Sequence, residues 1–490
     1  MIGKTYIIVV LGILIAKALG FFRDIVFASA FGATAYTDMY FQIFGLVNLV
    51  FTGIGVALST LIIKNINKIG SNDVTARKQY ISAFITKTTL VSLLATSVLY
   101  IFSEYLVRLL LPGLEDSLYS VATKLMHIML PSLTFVLIAY IISGVLQNSG
   151  VFFVTSIMSL PFNIAIMASL LVPDVGITTV SVVTTIGWFL HIVIQLPSFY
   201  KKGYRLFTFR LGGSQDRGNA EVLYIFISNM MFQLCFTIDK AFVTAQSGVA
   251  TTINYASNLF ITISSVFVVA MSNVVFPSIS RSYEEGNRDY VKNLTQYIIK
   301  VMVAIFLPFV LVVCCYGRDI ISILYERGEF TPELSKTTAV LFAVYAFGFT
   351  GYLCQELFNK LLYLDGRYRC TVIGAIVVVA LKPLINFVVI DNGGVYAVAA
   401  STTVLLSLYA VNVAFNLKKV MGKYIDKNLI IDLLKLLASG GGALAVYYVL
   451  KFIAPGLNFI VGVALCGAVY IVLLAACGSL KMLVNEFKNK

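Results

Sequence analysis

Three charged side chains interrupt the first apolar stretch of the chain. Lys17, Arg23 and Asp24 lie in residues 5–32, a segment that otherwise consists mainly of apolar and small residues. A helix of this length spans the roughly 30 Å hydrocarbon core of a bilayer, and each ionised side chain at its centre costs about 2.5–3.5 kcal/mol on insertion scales. Such charges are tolerated where they pair or face a polar interior. The segment therefore indicates a polar cavity inside the membrane, and hence transport by non-covalent binding.

The spacing of these charges allows two interpretations. Lys17 and Asp24 are seven residues apart and share a helix face, with Arg23 displaced by about a third of a turn. The cations either bind cargo while Asp24 holds one of them in place, or the three charges neutralise one another and fix helix packing. Asp38 follows at the start of the second predicted helix, where an aspartate either caps the helix or takes part in transport.

A second group of polar residues falls in later apolar segments. Asp239, Asn386 and Thr402 offer oxygen ligands, which predicts a Na⁺ site, although pairing of Asp239 with Lys240 is the alternative. Lys382 precedes Pro383 in mid-span, where proline interrupts the helical hydrogen bonds. That lysine binds a released carbonyl or a phosphate in one interpretation and pairs with an acid in the other.

The composition excludes a soluble enzyme. Hydrophobic residues make up 59% of the chain and charged residues 12%, against about 25% in a typical soluble domain. The seven cysteines form no CxxC pair, and two histidines cannot build a histidine-rich metal site. The sequence contains no phosphate-binding loop, HExxH or GxSxG motif. We therefore expect no enzymatic activity and no bound cofactor, with coupling to Na⁺ or H⁺ left open.

The apolar segments predict an all-α integral membrane protein with fourteen transmembrane helices. Basic residues concentrate in the loops after even-numbered helices, which places both termini in the cytoplasm and accounts for the positive net charge without nucleic acid. Examples are Lys64, Lys68, Lys201, Lys202, Lys418 and Lys419. A cleaved signal peptide at the N-terminus is the alternative for the first segment, but its apolar run exceeds the usual 7–15 residues.

The chain also repeats itself. Gly32–Asp38 matches Gly248–Asn254, and Gln147–Gly150 matches Tyr363–Gly366, each at an offset of 216 residues. The offset covers six predicted helices, an even number, so the two halves have the same orientation. We predict a six-helix N-lobe at 1–217, a six-helix C-lobe at 218–427 and two further helices at 428–490. A central cleft between the lobes would support alternating access.

Several segments resemble the MurJ/MviN family of the MOP transporter superfamily. They are Gly20-Phe-Phe-Arg23-Asp24-Ile-Val, Phe31-Gly32-Ala with Thr37-Asp38, Phe276-Pro-Ser-Ile-Ser-Arg281, and Tyr325-Glu-Arg-Gly-Glu-Phe-Thr331. The resemblance implies a flippase of the bacterial plasma (inner) membrane that carries lipid II, the undecaprenyl-pyrophosphate-linked peptidoglycan precursor, to the outer leaflet. It implies partners limited to this lipid-linked oligosaccharide and membrane lipids. Because a complete two-lobe transporter needs no partner chain to form its cleft, we expect the protein to work as a monomer.

The resemblance also assigns residues to the cargo. Lys17 and Arg23 keep the cations that the family has on helix 1, and Asp24, Asp38, Asn48 and Asn258 are the other candidate substrate-binding residues. The helix-2 positions after Asn48 read Phe51 and Thr52, and the helix-8 position reads Asn258, where the family carries cations. Three alternatives therefore stay open: export of another undecaprenyl-linked saccharide (exopolysaccharide or teichoic-type), cation-coupled antiport of small amphiphiles, and a non-transporting scaffold.

Overall fold

The computed structural model describes residues 2–69, 73–208, 220–271, 275–453 and 458–488, and no β-strand occurs within these ranges. A π-helical turn at Phe51–Gly55 joins α2 to α3, and a 3-10 turn at Asp116–Leu118 precedes α6. The α-helices are α1 (Ile2–Phe31), α2 (Ala35–Val50), α3 (Val56–Ile69), α4 (Val74–Ile101), α5 (Ser103–Leu110), α6 (Tyr119–Met129), α7 (Pro131–Asn148), α8 (Phe153–Ser156), α9 (Leu160–Leu170), α10 (Ile177–Val193), α11 (Leu196–Lys201), α12 (Ala220–Phe242), α13 (Val249–Ala270), α14 (Phe276–Glu284), α15 (Arg288–Tyr325), α16 (Pro332–Ala346), α17 (Phe349–Leu364), α18 (Tyr368–Met421), α19 (Lys427–Ile453), α20 (Phe459–Ala476) and α21 (Ser479–Lys488).

Many of these helices can cross a membrane. Among the described residues, nine helices or helical runs are long and apolar enough, and the pair α16 and α17, bent by 43°, raises the number to ten. The nine are Ala35–Ile69, Val74–Ile101, Asp116–Asn148, Phe153–Leu170, Ile177–Lys201, Arg288–Tyr325, Tyr368–Met421, Lys427–Ile453 and Phe459–Ala476. The predicted all-α membrane fold is confirmed, whereas the number of fourteen spans stays a prediction.

Local sequence explains where several helices begin and bend. The Asp73 carboxylate accepts a hydrogen bond from the Ala76 amide at 2.8 Å and so caps α4. The apolar segments at 368–390 and 395–417 predict two helices, and α18 consists of two helical segments within Tyr368–Met421. The predicted boundary appears as a break at Gly394, whose φ of 55° and ψ of −147° are outside the helical region.

The chain forms two compact units. The first comprises Met1–Tyr255, Arg327–Thr331 and Ala375–Val395, and the second comprises Ala256–Glu326, Pro332–Gly374 and Tyr396–Lys490. These units are defined by contacts within each unit, and their boundaries differ from those of the predicted lobes. The division into lobes at 1–217 and 218–427, with 428–490 apart, stays a prediction.

Each unit has its own apolar core. In the first, side chains from α3, α4, α7 and α11 pack together, including Ile62, Ile81, Ile141, Val145 and Phe199. In the second, α19 and α20 contribute Leu436, Ala443, Tyr470 and Leu474. Small residues permit close packing there, because a Cβ atom on Gly440 would lie 2.5 Å from the Leu307 side chain.

The repeated sequence elements adopt the same backbone conformation. Gly32 and Gly248, 216 residues apart, have φ angles of 58° and 83°. Gly150 and Gly366, separated by the same offset, have φ angles of 77° and 71°. Because L-residues rarely adopt this left-handed region, equal conformations at matched positions support the internal repeat.

Candidate functional site

Arg23 lies in α1 and is held on several sides within the first unit. Its Nη2 and Nε donate to Asp24 Oδ1 at 2.7 and 3.1 Å, and its Nη1 donates to Asn163 Oδ1 at 3.2 Å. The guanidinium carbon is 5.5 Å from the ring centroids of both Phe44 and Phe162, within cation–π range. The side chain is 13% exposed. Of the two cations that Asp24 was predicted to hold, Arg23 is therefore the one that it pairs with.

Lys17 differs from its neighbour in the same helix. It is partly buried, and its ammonium forms no hydrogen bond or ion pair with any residue in the described ranges. A cation in this position can neutralise an anionic group that comes from outside the chain, since no carboxylate of the described chain does so. Lys17 and Arg23 thus combine one cation of fixed orientation with one that is available.

Asp38 is a capping residue, although not of its own helix. Its carboxylate, 2% exposed, accepts hydrogen bonds of 2.6 Å from the amides of Gly248 and Thr251 and from the Thr251 hydroxyl. These donors belong to the first turn of α13 and the residue before it. Asp38 therefore caps α13, in place of the predicted cap of its own helix α2, and a direct contact of Asp38 with cargo stays a prediction.

Two further polar side chains join α2 to α12. The Lys240 ammonium donates to the Phe41 carbonyl at 3.3 Å and to Asn254 Oδ1 at 3.4 Å. Gln42 Nε2 donates to the carbonyls of Leu110 and Thr237, at 2.9 and 3.1 Å. Sequence reasoning missed Gln42 and Asn163. A polar residue inside an apolar helix was the available signal for both.

The predicted cation site is occupied by a side chain of the protein itself. The Lys382 ammonium forms an ion pair with Asp239, and both side chains are fully buried. Asn386 Oδ1 accepts from Lys382 at 3.0 Å, while Asn386 Nδ2 donates to Asp239 Oδ1 at 3.0 Å. Lys382 therefore pairs with an acid, which was the second interpretation of this lysine. The charge of Asp239 is balanced by Lys382 rather than by Lys240.

The remaining predicted site residues are divided between the two units and the residues outside the description. Asn48 is partly buried in α2, and Asn258 and Thr402 belong to the second unit, partly and fully buried respectively. The side chains of Phe51 and Thr52 lie outside the described residues. Within the described ranges, no group of three or more His, Cys, Asp or Glu side chains could hold a metal ion.

Comparisons with known proteins agree with this architecture. The sequence profile of the family described as "Lipid II flippase MurJ" matches residues 27–467. A probable lipid II flippase MurJ of Buchnera aphidicola (subsp. Schizaphis graminum) is 26% identical over 377 residues, which are 74% of this chain and 72% of that protein. The corresponding protein of Thermotoga maritima is 25% identical over 405 residues, 80% of this chain and 81% of its own.

Solved structures share the fold at low sequence identity. A lipid II flippase MurJ in an inward closed conformation superposes with a TM-score of 0.81 at 21% identity, and the match covers 97% of this chain and 100% of that one. An inward-facing multidrug resistance transporter of the MATE family gives a TM-score of 0.68 at 13% identity, over 85% of this chain and 98% of the other. The chain thus has the fold of these two solved transporters. With the profile match extending over most of its length, the chain belongs to the MurJ family of lipid II flippases.

Proposed function

We propose that this protein translocates lipid II from the inner to the outer leaflet by alternating access, without covalent chemistry. The observation that carries the proposal is the pair of cations in α1, Lys17 and Arg23, of which one is fixed and the other has no described partner. Lipid II has an anionic pyrophosphate, a polar sugar head and a lipid tail that can stay in the bilayer. A membrane-embedded cation pair matches the pyrophosphate.

The two cations differ in what they offer to a phosphate. A guanidinium has five N–H donors, and three of those of Arg23 are engaged by Asp24 and Asn163. Two donors remain for the cargo, and the braced guanidinium loses little further conformational entropy on binding. Lys17 contributes a compact point charge on a flexible stem, which can follow the phosphate as the surroundings change.

The driving force is part of the proposal. Lys382 supplies to Asp239 and Asn386 the positive charge that a bound Na⁺ would otherwise supply. We therefore propose that this cluster works with its own cation and that transport does not require a Na⁺ gradient. Coupling through H⁺ or through the membrane potential is compatible with this arrangement.

The family and the apolar helices place the chain in the bacterial inner membrane as a multi-pass protein with a lipid-linked cargo. The finer features belong to the proposal. Both termini lie in the cytoplasm because the basic loops do. The protein acts as a monomer, has no enzymatic activity and binds no nucleic acid.

The test is complementation of a bacterium depleted of its own lipid II flippase. Expression of this chain is expected to restore growth and lipid II at the outer leaflet, and Lys17→Ala with Arg23→Ala is expected to abolish both. Arg108→Gln is the matched control. Arg108 is 54% exposed, and its acidic partner is the nearby Glu104. Lysis despite normal membrane expression of the wild type would instead favour another undecaprenyl-linked cargo.

A further inference from the structure

A polar cavity lies in the second unit, between α15, α19 and α21. Its volume is about 590 Å³. Side chains that line it include Asn293 and Gln296 of α15, Asn428 and Lys435 of α19, and Ser479 of α21. None of these residues was assigned to cargo or coupling above. A cavity of this size and polarity can admit a polar group of a ligand.

The acidic side chains in its wall are already engaged. Asp432 pairs with Lys300 at 3.3 Å, and Lys300 is 6% exposed. Asp426 accepts from the Leu429 amide at 2.8 Å and from Gln296 Nε2 at 3.0 Å. The Leu429 amide bond, followed by the Gln296 bond, lowers the pKa of Asp426, so this carboxylate stays ionised and hydrogen-bonded at neutral pH.

Ser479 lines the same cavity, and its buried hydroxyl is unsatisfied within the described structure. It is 1% exposed, and its hydroxyl has no hydrogen-bond partner among the described residues. A buried hydroxyl without a partner is unfavourable, and a bound ligand that hydrogen-bonds to it would recover that loss. The hydroxyl lines the cavity, so the missing partner is expected there.

The start of α21 adds further unpaired donors at the same place. The residue before it is Gly478, with a φ of 74°, which has no side chain that could cap the helix. The first amides of a helix have no acceptor within the helix and attract anions. Helix α19 differs at its own start, because the Asp426 carboxylate supplies an acceptor there. No described residue supplies such an acceptor to the first turn of α21, so a ligand in the cavity can supply it.

We propose that this cavity binds a phosphate group. The Ser479 hydroxyl and the first amides of α21 donate to its oxygens, and the Lys435 ammonium, which is exposed at the rim, neutralises its charge. The ends of α15, α19 and α21 that form the cavity lie on the side of the membrane that the distribution of basic residues assigns to the cytoplasm. The phosphate belongs either to the headgroup of a lipid in that leaflet or to a phosphorylated solute, and a buried serine with an adjacent lysine suits both.

The experiment measures Kd by isothermal titration calorimetry on the purified full-length protein in detergent. The probes are dioctanoyl phosphatidic acid, dioctanoylglycerol, which lacks the phosphate, and inorganic phosphate. We expect phosphatidic acid to bind, and Lys435→Gln and Ser479→Ala each to weaken it by about tenfold. Lys423→Gln is the matched control, because Lys423 is an exposed lysine in the turn before α19 that does not line this cavity. Lys435 is exposed, so its variant tests the site without disturbing the core.

The outcomes separate the two sources and can overturn the site. Tighter binding of phosphatidic acid than of inorganic phosphate assigns the cavity to a lipid headgroup, and equal binding assigns it to a solute phosphate. The proposal is overturned if neither phosphatidic acid nor inorganic phosphate binds, or if dioctanoylglycerol binds as tightly as phosphatidic acid. It is also overturned if Lys423→Gln weakens binding as much as the two site variants do. In all of these cases the proposed transport of lipid II stands or falls separately by complementation.

Discussion

Asp38 at the start of α2 binds Thr251 in the first turn of α13, through both the Thr251 amide and its hydroxyl at 2.6 Å. The two residues lie in the two copies of the repeated sequence, Gly32–Asp38 and Gly248–Asn254. The contact therefore joins the matching turns of the two copies. An aspartate that looks in sequence like the cap of the helix that contains it instead caps the corresponding helix of the other copy.

Asp38→Ala is expected to lower the stability of the folded protein by about 3 kcal/mol, because it leaves the buried amides of Gly248 and Thr251 without an acceptor and the Thr251 hydroxyl with Thr37 alone. Thermal unfolding in detergent measures the loss. Asp73→Ala is the matched control: Asp73 also caps a helix but is exposed, and about 1 kcal/mol is expected there. Equal losses for the two variants would show that Asp38 is an ordinary cap.

Gly248→Ala is expected to destabilise the protein more than Gly286→Ala does. Both glycines have positive φ, 83° and 78°, so alanine costs about 1–2 kcal/mol at either position. At Gly248 the added Cβ would also lie 2.4 Å from the Ala33 carbonyl oxygen, whereas no atom lies within 4 Å of it at Gly286. A comparison of the two melting temperatures isolates the effect of the clash, and similar shifts would mean that the turn can relax.

The helical membrane fold could be predicted because the apolar segments are long enough to span a bilayer. The internal repeat could be predicted because matching glycines recur at an offset of 216 residues. Gly32 and Gly248, for example, both adopt the left-handed conformation. The two helical segments that meet at Gly394 were also predictable from sequence hydropathy, because the apolar segments 368–390 and 395–417 are separated there. These predictions concern local structure, because hydrophobic periodicity and turn residues reflect only neighbours along the chain.

The partners of the buried charges could be predicted only in part. The sequence predicted that Asp24 holds either Lys17 or Arg23, and the structure pairs it with Arg23, its neighbour in sequence. The brace from Asn163, 140 residues away, was not, because no local pattern marks which helices touch. The same reason explains Asp239, whose obvious neighbour is Lys240 but whose partner is Lys382. Long-range ion pairs depend on packing that composition does not encode.

Lys17→Gln is expected to reduce lipid II transport by more than tenfold while leaving the melting temperature unchanged. The reason is that no described residue bonds to the Lys17 ammonium, so its removal costs no contact within the described structure. Transport is measured as lipid II exposed at the outer leaflet in the complemented strain. Lys17→Arg keeps the charge and is expected to retain most of the activity. A fall in stability with Lys17→Gln would instead assign the lysine a structural role.

Asp239 and Lys382 are expected to behave as a coupled pair. Removing either partner leaves a buried, uncompensated charge, so Asp239→Asn and Lys382→Met should each cost about 3–5 kcal/mol. The double variant should lose less than either single one, because it buries no charge. Thermal unfolding of the wild type, the two single variants and the double variant gives the coupling energy, and additive losses would contradict the pairing.

Wild-type transport should be equal in Na⁺ and in K⁺ buffers, because Lys382 carries the positive charge next to Asp239. A strict Na⁺ requirement would show that the lysine leaves this site during transport.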